Sequence, residues 1–202
     1  FNATSIERAP ISITAVTEDV LKRQAPISSA DALKSVPGVF VNSSLGEIRN
    51  IVFSRGVSAR SLEAAGGYFY VSLQEDGLPV EPVTATNFGP DYFSRLDLMN
   101  NRIEALRGGT AVVTGANAPG GIFNYISKTG KSSPGTQFQL KGGLEGDGKS
   151  PLYRIDGYTG GRIGDSDVYY ALGGFYRISD GARYPGYKLN KGGEIRGNLL
   201  WD

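Results

Sequence analysis

Arg102-Ile-Glu-Ala-Leu-Arg-Gly-Gly109, followed after a short gap by Thr114-Gly-Ala-Asn-Ala-Pro-Gly-Gly-Ile-Phe-Asn-Tyr-Ile-Ser-Lys128, decides how the rest of the chain is read. The first piece is a short strand running into paired glycines. The second is a glycine-punctuated turn running into another strand. In both, backbone geometry dictates almost every residue type.

Downstream the pattern changes to long alternating segments, beginning at Thr136. Phe138, Leu140 and Leu144 share one face of the first, opposite Gln137, Gln139 and Lys141. In the second, Tyr153, Ile155 and Thr159 oppose Arg154, Asp156 and Arg162. The third sets Val168, Tyr170, Leu172, Tyr176 and Ile178 against Asp167, Tyr169 and Arg177, and the fourth sets Ile195, Leu199 and Trp201 against Glu194, Arg196, Asn198 and Asp202. Each strand has one apolar and one charged face, as expected where lipid lies on one side and water on the other. A soluble antiparallel sheet alternates in the same way, so the period alone leaves both readings open. The links add a second clue. Gly164-Asp-Ser-Asp167 reads as tight, the link from Glu145 to Pro151 as intermediate, and the one from Ser179 to Gly192 as long. Short turns at one end and long loops at the other suit an outer-membrane barrel. Tyr153 and Trp201, near strand ends, suit its aromatic girdles.

Upstream, Ile11-Ser-Ile-Thr-Ala-Val16 alternates and reads as a strand. Thr17 stands at the N-cap position of a short helix, with Glu18 and Asp19 in its first turn and Pro26 close behind. A second cap and helix read from Ser29 to Ser35, stopped by Pro37-Gly38 before a strand at Val39-Phe-Val41. Further strands read at Ile51-Val-Phe-Ser54 and Phe69-Tyr-Val-Ser-Leu73. The second leads to the turn dipeptide Asp76-Gly77. Residues 58–67 and 81–92 read as loops. This first part is a compact mixed α+β domain, expected over residues 1–130, with the alternating strands filling 131–202 and the whole mainly β.

Composition excludes much. Gly 29 of 202 residues is about twice the usual share and, without a Gly-X-Y period, points to turns and strand kinks. There is no Cys and no His, so thiol chemistry, zinc thiolate sites and the commonest general base are all missing. A soluble enzyme would need a catalytic centre built without either, and no cofactor or metal site is expected. A net charge of +1, with no basic run, gives no reason to expect nucleic acid. No stretch of about 18 apolar residues occurs. The start, Phe1-Asn-Ala-Thr4, lacks the regions of a signal peptide, so either that segment has been removed or the chain begins partway through a longer protein.

An ordered set of motifs then carries a resemblance. They are Ile11-Ser-Ile-Thr14, Asp31-Ala-Leu-Lys-Ser-Val-Pro-Gly-Val39, Phe53-Ser-Arg-Gly56, Glu75-Asp-Gly-Leu-Pro79, Arg102 to Gly108, and Gly120-Gly-Ile-Phe-Asn-Tyr-Ile-Ser-Lys128. In that order they resemble the plug domain of TonB-dependent outer-membrane receptors. The departures, Gly109 where the family often continues Arg-Gly-Pro and Thr114-Gly115 where it often has Tyr-Gly, bear on the subfamily.

The resemblance implies a plug seated in a barrel of about 22 strands. It implies residence in a Gram-negative outer membrane, contact with its lipid, and import of a scarce nutrient: siderophore iron, a corrinoid or an oligosaccharide. TonB of the inner-membrane complex would pull on a segment ahead of Phe1. The strands from 131 onward would open the barrel but not close it, since the smallest outer-membrane barrels use about 8. Arg55 and Arg107 correspond to family arginines that lock the plug to barrel-wall carboxylates, a task suited to a permanently charged, forked donor. The alternative is that each caps a local turn or is solvated. Gly56, Gly77, Gly108, Gly120 and Gly121 are expected to serve tight turns and close packing. Arg60, Asn87, Phe88 and Tyr92, in loops that match the outer vestibule, combine stacking surface with hydrogen-bond capacity and are candidates for touching substrate, or for packing against barrel loops. A passive binding or adhesion protein with a plug-like domain stands as the runner-up.

Other signals carry less. Thr129-Gly-Lys-Ser132 resembles the end of a phosphate loop, but Tyr125 occupies the position of the required glycine. Glu75 and Asp76, as strand neighbours, would point to opposite faces and not act as paired carboxylates.

Overall fold

The computed structural model describes residues 12–42, 50–58, 71–80, 95–108, 118–181, 183 and 186–202. Arg60, Asn87, Phe88 and Tyr92 lie outside these described residues, as does most of the two loops that carry them. The chain divides into two compact units. The first is Phe1–Leu96 with Asn101–Ser127, and the second is Lys128–Asp202 with the short segment Asp97–Asn100. The break at Ser127 falls a few residues before the expected boundary at 130.

In the first unit, β1 (Ser12–Thr17) runs into α1 (Glu18–Gln24), then a 3₁₀ turn (Asp31–Ser35) and β2 (Val39–Asn42). β3 (Ile51–Ser54), β4 (Val57–Ser58), β5 (Val71–Glu75), β6 (Leu78–Pro79), β7 (Asn100–Arg107) and β8 (Gly121–Ser127) follow. Five strands form one sheet in the order β1-β7-β8-β5-β6, with β5 and β8 parallel and β1 and β7 antiparallel. A second, antiparallel sheet has the order β2-β3-β4. Thr17 takes the N-cap position in extended conformation, but its side chain makes no capping bond.

The expected helix over 29–35 is a 3₁₀ turn from Asp31, whose N-cap position falls on Ala30 rather than Ser29 and carries no side-chain cap. The Ser28 hydroxyl accepts from the Asp31 N–H at 3.0 Å. Val36 precedes Pro37 and is driven into extended conformation, which leaves no length for α turns to propagate.

The core of this unit is what alternation on β7 and β8 demands. Val16, Leu33, Val52, Val71, Ile103, Ala105, Phe123 and Tyr125 are all buried together. The Tyr125 hydroxyl, fully enclosed, donates to the Ser29 carbonyl at 2.7 Å, so its polar tip is satisfied. Asp76-Gly77 forms the tight β5–β6 turn, both residues with positive φ. The Asp76 carboxylate accepts from Ser127 N–H at 2.8 Å, and Asp76 lies in this turn, past the end of β5, rather than beside Glu75 on the strand.

The second unit is a four-stranded antiparallel meander in the order β12-β11-β10-β9: β9 (Gly135–Glu145), β10 (Ser150–Arg162), β11 (Val168–Ser179) and β12 (Asn190–Trp201). Its polarity is inverted. Leu140 is 79 % exposed and Ile195 and Trp201 are each 83 % exposed, whereas Arg154 and Arg177 are buried and Asp156 is fully so. The register shows how the two faces are assembled. Leu140, Ile155 and Tyr176 lie in one cross-strand row, and Gln139, Asp156, Phe175 and Glu194 lie in the next. A continuous exposed apolar face of this kind is what soluble monomers avoid and what lipid solvates.

The link lengths correct the sequence reading. The β9–β10 turn over 146–149 is shorter than the β10–β11 link over 163–167, because β9 and β10 stay paired out to Glu145–Ser150 and Gly146 and Gly148 both take positive φ. Only the β11–β12 link, over 180–189, is long.

Candidate functional site

Arg55 and Arg107 meet in the first unit, brought together by backbone that few residue types permit. Arg55 is the first central residue of the two-residue β3–β4 hairpin, with φ 51°, and Gly56 follows with φ 78°. That combination of two positive φ values matches the right-handed twist of paired strands. It is natural for glycine but uncommon for an arginine, so the turn holds a charged side chain where a small residue is expected. The Arg55 N–H donates to the Gly38 carbonyl at 2.9 Å, tying the hairpin to the Pro37-Gly38 stop.

Arg107 ends the inward-facing row of β7. Register pairs Val16 with Ile103, Thr14 with Ala105 and Ser12 with Arg107. One face of the β1–β7 ladder therefore passes from apolar core to polar pocket within three cross-strand pairs. Arg107 is 8 % exposed and donates through Nη1 to the Pro37 carbonyl and through Nη2 to the Thr14 hydroxyl. Its buried Nε has no hydrogen-bond partner.

Glycines leave the room this needs. A Cβ on Gly38 would stand 3.8 Å from Arg55 Cγ and 3.9 Å from Arg107 Nη1, and one on Gly108 would stand 3.5 Å from Arg55 Nη1. A Cβ on Gly121 would meet the Leu106 carbonyl oxygen at 2.7 Å and Arg107 Cγ at 3.3 Å. Gly108 and Gly121 also have positive φ, whereas Gly120 lies buried in the turn without one. Gly77 belongs to the β5–β6 turn and takes no part in this cluster.

Electrostatically the site sets an exposed Arg55 near the buried Arg107, two like charges. Burial first, and then the Arg55 charge, hold the Arg107 guanidinium below its ordinary value. Arginine's high starting pKa keeps it a cation regardless. Among the described residues no carboxylate pairs with either side chain. The arrangement can bind an anion or a carboxylate.

Sequence reasoning named Arg55 and Arg107 but missed Thr14, Pro37 and Gly38 as their supports. The signal for Thr14 was available, since the inward row of β1 turns polar toward its N-terminal end. Pro37 contributes only a carbonyl, which no side-chain pattern reveals.

Comparison with known proteins agrees with this architecture. The family described as TonB-dependent Receptor Plug Domain matches residues 5–122. The ferric-pyoverdine M114 receptor PbuA of Pseudomonas sp. (strain M114) is 28% identical over 163 residues, covering 80% of this chain and 18% of that protein. The vitamin B12 transporter BtuB of Photobacterium profundum is 28% identical over 159 residues, covering 78% of this chain and 23% of that protein. The crystal structure of the siderophore receptor PirA from Acinetobacter baumannii superposes with a TM-score of 0.67 at 21% identity, over 98% of this chain and 30% of that one. The chain thus spans roughly a fifth of the length of the curated relatives it matches. With more than half its residues in the plug match and its remaining strands turned apolar face outward, the chain belongs to the TonB-dependent receptors of the Gram-negative outer membrane.

Proposed function

We propose that this chain is the plug and first wall of a receptor that binds a scarce nutrient outside the cell and imports it when TonB, gripping a segment ahead of residue 1, displaces the plug. The observation that carries this reading is the plug match over residues 5–122 leading into strands whose apolar face is exposed and whose charges are buried. A passive outer-membrane binding protein would need a wall of the same polarity, so what favours energised import is the kind of relative matched, a ferric-pyoverdine receptor and a vitamin B12 transporter. A ferric siderophore is the cargo class that two of the three named relatives support, and a corrinoid, supported by the third, is the second.

In this reading residues 1–130 are the plug, 131–202 open the barrel, and Arg55 with Arg107 are the lock. Two converging cations, one with a buried donor lacking a partner, suit carboxylates elsewhere in the barrel wall. Oriented, forked contacts of this kind set a position yet separate without breaking covalent bonds. Arg60, Asn87, Phe88 and Tyr92 are the proposed substrate contacts in the plug loops. Uptake of radiolabelled ferric siderophores and radiolabelled cobalamin by cells carrying the full receptor, with and without TonB, tests the proposal. Uptake of one ligand that needs both receptor and TonB is expected. Equal uptake without TonB would contradict it.

A further inference from the structure

The segment Asp97–Asn100 lies within the family match to the plug, yet it belongs to the strand unit. We infer that this turn is a fixed anchor on the inner face of the barrel wall, staying bound to β10–β12 while the rest of the plug is displaced. The inference rests on the import reading above.

Its support is a receptor site built on the charged face of the sheet. Arg196, on β12, grips the Asp97 carboxylate with both Nε, at 3.0 Å, and Nη2, at 2.6 Å, and donates to Asn100 Oδ1 at 2.7 Å. The Asp97 side chain is fully buried and that of Arg196 is 16 % exposed, and a forked pair with one partner so enclosed is oriented and costly to open on one side alone. Asp97 also accepts from the Met99 N–H at 2.8 Å, and Asn100 Oδ1 accepts from the Asp97 N–H at 3.1 Å, so the turn is closed on itself.

Its apolar residues are seated as well. Leu98 and Met99 are buried with Tyr158 and Ala171. Gly173 forms the seat for Met99, since a Cβ there would stand 2.6 Å from Met99 Cγ. The chain is fastened again just downstream. The Lys128 N–H donates to the Met99 carbonyl at 2.7 Å, and Asn198 Nδ2 donates to the Lys128 carbonyl at 2.8 Å. Both ends of the chain that closes β7 and β8 are thus held by the wall, so displacement must part the chain at the flanks of the turn and cannot carry the plug away as one rigid body.

A disulfide tests this. The 202 residues contain no cysteine, so Met99→Cys with Gly173→Cys would introduce a single defined pair, provided any cysteine elsewhere in the full receptor is removed. Energised uptake in the oxidised variant is expected to stay within about twofold of its own reduced form, because the tether joins parts that do not separate. A loss of about tenfold or more, restored by reductant, would overturn the inference. If the unmutated receptor shows no TonB-dependent uptake, the import reading fails instead. Should the double variant fail to reach the membrane, Met99→Cys alone is labelled with a periplasmic maleimide in cells with and without TonB. Equal protection supports the anchor, and labelling that rises several-fold with TonB overturns it.

Discussion

The two units follow opposite rules from the same alternating chemistry. In the first, β7 points Ile103 and Ala105 into a core and leaves polar side chains outside; in the second, β10 turns Tyr153 and Ile155 out and buries Arg154 and Asp156. One unit is solvated by water around an oily centre. The other is built for oil on one face and charge on the other. The difference teaches that burial alone does not define a core, because the solvent each face meets decides which residues are stable there.

The largest effects should come from the two buried centres. Phe123→Ala removes a fully enclosed ring from the first unit and should cost about 3–5 kcal/mol, read as a lowered denaturant midpoint for the plug. Arg154→Met attacks the corresponding centre of the second unit. It leaves Asp156, now held by Arg154 at 2.6–3.0 Å, with Lys141 at 4.0 Å as its remaining partner among the described residues. A cost of about 3–5 kcal/mol is expected, and the double change Arg154→Met with Asp156→Leu should recover most of it, because the stranded charge goes too. If the double variant were no better than the single one, the charged face would not be acting as a paired centre.

Leu140→Arg places a cation in the middle of the outer face and should weaken barrel stability by about 2–4 kcal/mol in a bilayer, seen as a lower midpoint in refolding into lipid vesicles. In a water-facing sheet the same change would be close to neutral, so this variant separates the two polarities directly. Gly121→Ala should cost more than about 1 kcal/mol, since its φ of 124° and the nearby Leu106 carbonyl both reject a Cβ. The smallest effect belongs to Lys131, whose ammonium is held above its ordinary value first by its hydrogen bond to Asp202. A raised lysine stabilises below its unfolded pKa and loses that contribution as pH rises through the folded value. The pair should therefore weaken only in strongly alkaline solution, as an amine titration by NMR would show. Because both partners are solvent-exposed, Lys131→Met should leave the unfolding midpoint unmoved.

Much of this contrast was legible in sequence, and the residues show why. Period two is a local property, so Phe138, Leu140, Arg154, Asp156 and Ile195 declared their faces from their neighbours alone. Asp76-Gly77 declared its turn in the same way. Long-range facts were not legible. Arg55 does not look like a residue with positive φ, and only the Gly38 carbonyl and the Val57 pairing explain why it takes one. The N-cap of the 3₁₀ turn falls on Ala30 rather than Ser29, a difference of one residue that propensity does not resolve. The assignment of Asp97–Asn100 to the strand unit depends on Arg196, nearly a hundred positions away. Within the candidate site, Arg55 and Arg107 came from motif order, whereas their meeting beside Gly38 and Gly108 came from packing.

The claim under all of this is that the exposed apolar face of β9–β12 meets lipid while the charged face does not. Single cysteines placed in turn at positions 193 to 199 of β12, spin-labelled in the full receptor in bilayers, test it most directly. Collision with oxygen should peak at 193, 195, 197 and 199 and fall at 194, 196 and 198, and collision with a water-soluble nickel reagent should stay low at 195 and 199. Loss of that two-residue period, or high nickel access at 195 and 199, would contradict the account.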